Sequence, residues 1–346
     1  MEGQPYYRPG RQERIENCTF VKTILMLLVV LYHGCVYWTG SWFDRTPLLD
    51  SQFLAVFAKW LNSFHVYGFA LVSGYLYSFG RNEIGKYQNR KRFLIDKAKR
   101  LIIPFYFAVI VWVIPIQQLF FHNDIEVIIK KYLLAENPNQ LWFLWMLFIV
   151  FVIICYIVEI VDKSYIAALI ISLCGYGIYI TVPGKVPHYF QIIMAMQFLS
   201  VFLVGYYMRK IEPWKVPWIA WVVLDIVLFY VYEFLPRNVM ALKLIHYGSG
   251  FFLHIIGGIM AFETLQVFAC RIDWRRSKTL ILLSSCSMPM YMFHQQIVYF
   301  SIAVFNGRIH PLIHAGINFL VAIVGSLLIS VILMKWRTTR FLIGAK

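Results

Sequence analysis

Charge is scarce in this chain of 346 residues. Asp, Glu, Lys and Arg make up 14% of it, against about 25% in an ordinary soluble domain. So little charge, with 60% hydrophobic residues, excludes a soluble globular or disordered class and points to a membrane protein. Acidic residues are scarcer still, 17 against 32 Lys and Arg, for a net charge of +15. The basic residues sit in short segments between apolar runs rather than on one long polar face. Membrane topology explains them, and nucleic acid is not an expected partner.

Other absences narrow the chemistry. The six cysteines, at 18, 35, 155, 174, 270 and 286, form no CxxC pair, so neither a disulfide framework nor a zinc site is indicated. There is no Walker loop, no dinucleotide fingerprint, no HExxH and no G-x-S-x-G elbow, which removes the commonest sequence signatures for nucleotide, metal and serine chemistry. Neither a bound cofactor nor a metal is expected. An internal repeat of the kind many transporters carry is not evident.

What is abundant is long apolar sequence. Segments of 17 or more mainly apolar residues can cross about 30 Å of hydrocarbon. Ten are expected, at about 20–38, 54–79, 101–120, 141–161, 165–182, 190–208, 216–234, 245–268, 280–303 and 312–335. The fold class is an all-α membrane protein, a single multi-span domain over residues 1–346. The first run is too long for a signal-peptide core and lacks a small-x-small cleavage site, so it is read as a retained span. With the N-terminus inside, 24 of the 32 basic residues fall on cytoplasmic segments and 8 on external ones. That bias places both termini in the cytoplasm. The densest cytoplasmic segment, Arg81 to Arg100, carries eight basic residues and only Glu83 and Asp96 as acids.

Ionisable side chains inside spans are costly and commonly functional. Lys22 and His33 lie eleven residues apart on the first span. On a helix that places them within ~20° on one face and roughly 16 Å apart along the axis. Lys22 would sit at the cytoplasmic end, in reach of phosphates, with His33 deeper. His33 could act as a general base, or be a histidine hydrogen-bonded between helices. Arg100, entering the third span, could bind anionic phosphates with the rest of its basic segment, or serve topology alone. His65, Asp225 and His294 are further intramembrane candidates, with His254 and Glu263 behind them; each could equally pair with a polar neighbour. Ser73-Gly74 could offer a hydroxyl or a close helix contact.

Four blocks of this sequence resemble the acyltransferase-3 family, ten-span enzymes that decorate bacterial glycans with acyl groups. They are Lys22-x10-His33; Phe69-Ala-Leu-Val-Ser73-Gly74-Tyr75 with Arg100-Leu-x-x-Pro104; Leu141-Trp142-Phe143-Leu144; and Ser287-Met-Pro-Met-Tyr291-Met-Phe-His294-Gln295. Thr19 stands where the family tends to have an aspartate. The resemblance implies a membrane O-acyltransferase with His33 as catalytic base. It implies Lys22 and Arg100 as binders of acyl-CoA phosphates, and His294, Tyr291 and Trp142 as cavity residues. Acetyl-CoA or another acyl-CoA would be the donor substrate, and an exported glycan or lipid-linked saccharide the acceptor. Membrane lipids and glycan-assembly proteins complete the expected partners, in the cell (inner) membrane. Two rivals stand beside this reading: a transporter of a lipid-linked sugar or small anion using intramembrane His and Asp groups, and a non-catalytic scaffold.

Overall fold

The computed structural model describes residues 9–40, 42, 46–211 and 216–345. Its helices run in chain order as α1 (Arg11–Cys35), α2 (Gln52–Asn82), α3 (Arg90–Ala108), α4 (Ile114–Phe121), α5 (Ile125–Ile128), α6 (Trp142–Lys163) and α7 (Tyr165–Thr181). There follow α8 (Ile192–Lys210), α9 (Trp218–Phe234), α10 (Met240–Arg271), α11 (Lys278–Phe305), α12 (Pro311–Leu333) and α13 (Arg337–Leu342). Among the described residues there is no strand, only one isolated bridge between Pro183 and Val186. The protein is an all-α membrane protein, and each of the ten expected segments coincides with helix.

Six helical stretches combine the length and apolarity of a membrane crossing: Arg11–Thr39, Arg90–Phe121, Asn139–Lys163, Tyr189–Lys210, Met240–Arg271 and Pro311–Leu333. Tyr165–Thr181 is a shorter apolar helix. Its exposed residues Ile166, Leu169, Ile170 and Leu173 recur at helical spacing, an apolar ridge suited to acyl chains rather than water. The Arg90–Phe121 stretch is not a plain α-helix. Pro104 lies inside α3, and a π turn at Val109–Val113 separates α3 from α4. Proline removes a backbone donor and crowds the preceding turn; the π turn lies beyond it, on its C-terminal side.

Helix starts follow capping chemistry. Asn89 accepts from the Arg92 N–H at 2.9 Å, and Ser164 from the Ala167 N–H at 3.1 Å. Proline occupies the first position of α12, after His310 as N-cap; its missing N–H costs nothing there.

The chain divides into two compact units. The first comprises Met1–Met26, Asn62–Lys86 and Leu199–Ser284; the second comprises Leu27–Leu61, Tyr87–Phe198 and Ser285–Lys346. In the first, α2 and α8 cross at two glycines. A Cβ on Gly74 would collide with the Phe202 carbonyl, and one on Gly205 with the Leu71 carbonyl. Small residues permit this approach, because without a hydrophobic drive between helices in lipid, tight van der Waals contact holds the bundle. Ion pairs made by two buried arginines fasten the same unit. Arg14, 3% exposed, is bound to both carboxylate oxygens of Glu263, and Arg209 makes a two-pronged pair with Glu83 at 2.6 Å on each arm. These hydrogen bonds to Arg209 hold the Glu83 carboxyl below the usual glutamate range. In the second unit, glycines again permit close contact: a Cβ on Gly175 would press on the Met196 carbonyl, and Gly34 packs against Ala315 and Phe319.

Candidate active site

The second unit brings two of the sequence candidates into direct contact. His33, near the C-terminal end of α1, and His294, in the middle of α11, are both buried, and His294 Nε2 lies 3.1 Å from His33 Nδ1. Their rings meet edge to face, with centroids 4.8 Å apart.

Neighbouring carbonyls assign the protons. His294 Nδ1 lies 2.8 Å from the Tyr291 carbonyl and 3.2 Å from that of Met290. Carbonyls only accept, so His294 Nδ1 is the protonated nitrogen and its Nε2 carries a lone pair. That lone pair faces His33 Nδ1, which is also 2.9 Å from the Val29 carbonyl. With two acceptors around it, His33 Nδ1 carries a proton and donates. Neutral His33 therefore presents a lone pair at Nε2, the form a general base needs. After proton uptake at Nε2, the imidazolium keeps its Nδ1–H on two fixed acceptors, and such charge-assisted bonds are stronger than neutral ones.

Amides hold this arrangement. Gln140, buried just before α6, receives the Tyr291 hydroxyl on its carbonyl. Its side-chain amide donates to the Met292 carbonyl at 2.7 Å and to Gln296 Oε1 at 2.9 Å. Its backbone N–H donates to Gln295 Oε1 at 2.8 Å, and Gln295 Nε2 donates to the Tyr299 hydroxyl at 2.9 Å. On the other flank the Trp112 indole N–H donates to the Phe293 carbonyl at 3.1 Å. The turn that bears His294 is thus pinned on both sides. Gln140, Gln295, Gln296 and Gln117, which donates to the Tyr299 hydroxyl at 3.2 Å, are the contributors that sequence reasoning passed over as site residues. The available signal was four amides in or beside apolar segments, each costly unless bonded.

The other candidates have separate settings. Tyr291 enters the site through its carbonyl and its hydroxyl. Trp142 begins α6, with its ring 5.6 Å from Phe198 and 5.9 Å from Phe143. Arg100 is exposed on α3 in the second unit. Within its basic segment Lys97 lies over aromatic rings, 3.8 Å above Phe151, and Arg90 pairs with Glu159 at 2.6 Å.

Lys22, His65, Ser73 and Asp225 belong to the first unit. Lys22 is half-buried on the same unbroken helix as His33. His65 is buried in α2, and Asp225 is fully buried in α9 beside Gly257. Ser73 is half-buried, next to the Gly74 crossing. His254 stacks on Tyr67 at 4.1 Å and bonds the Ser63 carbonyl at 3.2 Å, while Glu263 is the partner of Arg14. Among the described residues no cluster of three or more His, Cys, Asp or Glu could hold a metal ion.

A multi-pass helical membrane protein with a tautomer-fixed imidazole pair buried in one unit is equipped for proton transfer away from bulk water. The profile of the acyltransferase-3 family, described as an acyltransferase domain, matches residues 16–335. The chain belongs to that family and is a membrane acyltransferase. Comparison with curated proteins and with solved structures finds no match.

Proposed function

We propose that this acyltransferase moves an acetyl or other short acyl group from cytosolic acyl-CoA to a hydroxyl of an exported or lipid-linked glycan, with His33 as general base. The observation that carries the reading is the 3.1 Å bond between His294 Nε2 and His33 Nδ1. It favours the tautomer with a basic Nε2 and stabilises the cation formed there.

The chemistry balances within the two substrates. His33 Nε2 takes the acceptor's hydroxyl proton as that oxygen attacks the thioester carbonyl. The tetrahedral intermediate expels the sulfur, the C–S bond breaks, and the proton passes from His33 to the leaving thiolate as free CoA forms. Holding the two substrates in line supplies much of the rate, with no cofactor needed for bond exchange. Lys22 holds donor phosphates at the cytoplasmic end of α1, and its spacing from His33 suits the length of a pantetheine arm. Arg100, exposed in the second unit, is assigned the same kind of role on the sequence reading. Ten crossings with both termini in the cytoplasm, in the cell (inner) membrane, would deliver the donor from inside and the acceptor from outside. Membrane lipids and glycan-assembly proteins would be its surroundings.

The test uses protein purified into phospholipid nanodiscs with acetyl-CoA and the cell's own glycan fraction, following free thiol with a chromogenic reagent. Glycan-dependent thiol release that is lost in His33→Ala, with Lys22→Ala raising the donor KM about tenfold, supports the reading. Release that is unchanged in His33→Ala contradicts it.

A further inference from the structure

An aromatic wall in the second unit ends at His33. Gly40, with φ +77°, turns the chain after the short helix that follows α1, a conformation glycine adopts without steric cost. Trp42, two residues on, has its ring centroid 5.9 Å from that of His33 and 5.4 Å from that of Tyr299. Phe120, near the end of α4, continues the wall at 5.8 Å from Tyr299. Gln117 and Gln295 both donate to the Tyr299 hydroxyl, at 3.2 and 2.9 Å, so the ring beside Trp42 is held on two sides. A tryptophan that only anchors a protein at the interface turns its ring to lipid. Trp42 instead packs on a base and a tyrosine while remaining half-buried rather than sealed. His33 on α1, the C-terminal end of α4 and Tyr299 on α11 all fall toward the external side in the proposed topology.

We propose that Trp42 is the platform on which the sugar ring of the acceptor stacks, delivering one of its hydroxyls to His33 Nε2. The inference rests on the glycan-acceptor reading above. The apolar C–H face of a pyranose matches an indole face, and the polar rim of Tyr299 and the glutamine amides matches ring hydroxyls; aromatic walls with a few fixed polar groups are how small-ligand sites gain orientation. An acyclic polyol lacks that flat face and would gain little from Trp42. The acceptor class selected is therefore a cyclic sugar.

The experiment reads binding directly, apart from turnover. Saturation-transfer NMR is run on protein in phosphatidylethanolamine and phosphatidylglycerol nanodiscs, with the methyl glycosides of glucose, galactose, mannose, rhamnose and N-acetylglucosamine, and with glycerol. At least one glycoside should receive saturation on its ring C–H protons with the wild type, and glycerol should not. Trp42→Leu, which keeps bulk without the ring face, should weaken that signal about tenfold, an aromatic contact's worth. Trp42→Phe should keep most of it. No glycoside signal in the wild type, an equal signal in Trp42→Leu, or equal transfer to glycerol overturns the proposal. Retained glycoside binding together with undiminished acyl transfer in His33→Ala would overturn the base assignment and leave the Trp42 subsite standing.

Discussion

Replacing His294 with phenylalanine isolates the contribution of the imidazole pair. Phenylalanine keeps an aromatic ring in a fully buried site, which limits repacking. The carbonyls of Met290 and Tyr291 that face His294 Nδ1 are main-chain groups of α11, so they retain helical partners. What disappears is one acceptor for the Nδ1–H of His33 once that ring is charged. A hydrogen bond to a charged group is worth about 1.5–3 kcal/mol. The Val29 carbonyl, 2.9 Å away, remains as the second acceptor, so the loss belongs at the low end, about 1.5–2 kcal/mol. That converts to a fall in kcat of about 10- to 30-fold. His33→Ala removes the base itself and should cost about 10²- to 10⁴-fold. Thiol release in nanodiscs measures both, with the donor KM within about twofold in His294→Phe. Because His294 acts through His33, the double variant should be no slower than His33→Ala alone. Full activity in His294→Phe, or losses that multiply in the double variant, would refute the reasoning.

Three further expectations concern stability. Gln140→Leu strips the amide that bonds both ends of the buried Gln296 side chain; leaving that amide unserved should destabilise by about 1–3 kcal/mol, read as a lower thermal midpoint in nanodiscs. Gly205→Ala drives a methyl into the Leu71 carbonyl, and since a backbone cannot step aside the cost should reach the upper part of about 1–3 kcal/mol; an unchanged midpoint would remove the α2–α8 crossing as a stabilising contact. Glu83→Gln addresses pH. The Glu83 carboxyl is depressed by its hydrogen bonds to Arg209, so its contribution is complete above the unfolded glutamate value and is lost as pH falls through the lower folded value. The variant should be less stable than wild type at neutral pH, by no more than about 1 kcal/mol because the group is partly exposed, and the two thermal midpoints should converge in acid.

The helices were legible because lipid requires apolar length, and every expected segment coincides with one. The π turn at Val109–Val113 was less so: Pro104 marks a disturbance in α3, but where the helix loosens depends on its packing. Lys22 and His33 stand out because each is polar in an apolar run and they share a helix. The bond from His33 to His294 joins residues 261 apart in sequence, and periodicity carries no information across such a gap; each histidine was visible, the pair was not. Gln140 was hidden for a different reason. It carries no charge and sits at a segment edge, where a polar residue excites no suspicion, although its bonds hold the turn that bears His294. Ser73-Gly74, open between a hydroxyl and a packing role, has its glycine in the α2–α8 crossing, and Glu263 proved to be half of an ion pair with the buried Arg14.

The most direct measurement follows the acyl group itself. Membranes containing wild type or His33→Ala at matched levels are given acetyl-CoA labelled in the acetyl group, and the cell's glycan fraction is isolated and counted. Label in the glycan with wild type and none with His33→Ala is the predicted result, placing both the transfer and its base. Equal label from the two proteins would contradict the role of His33 and reduce its bond with His294 to a packing contact.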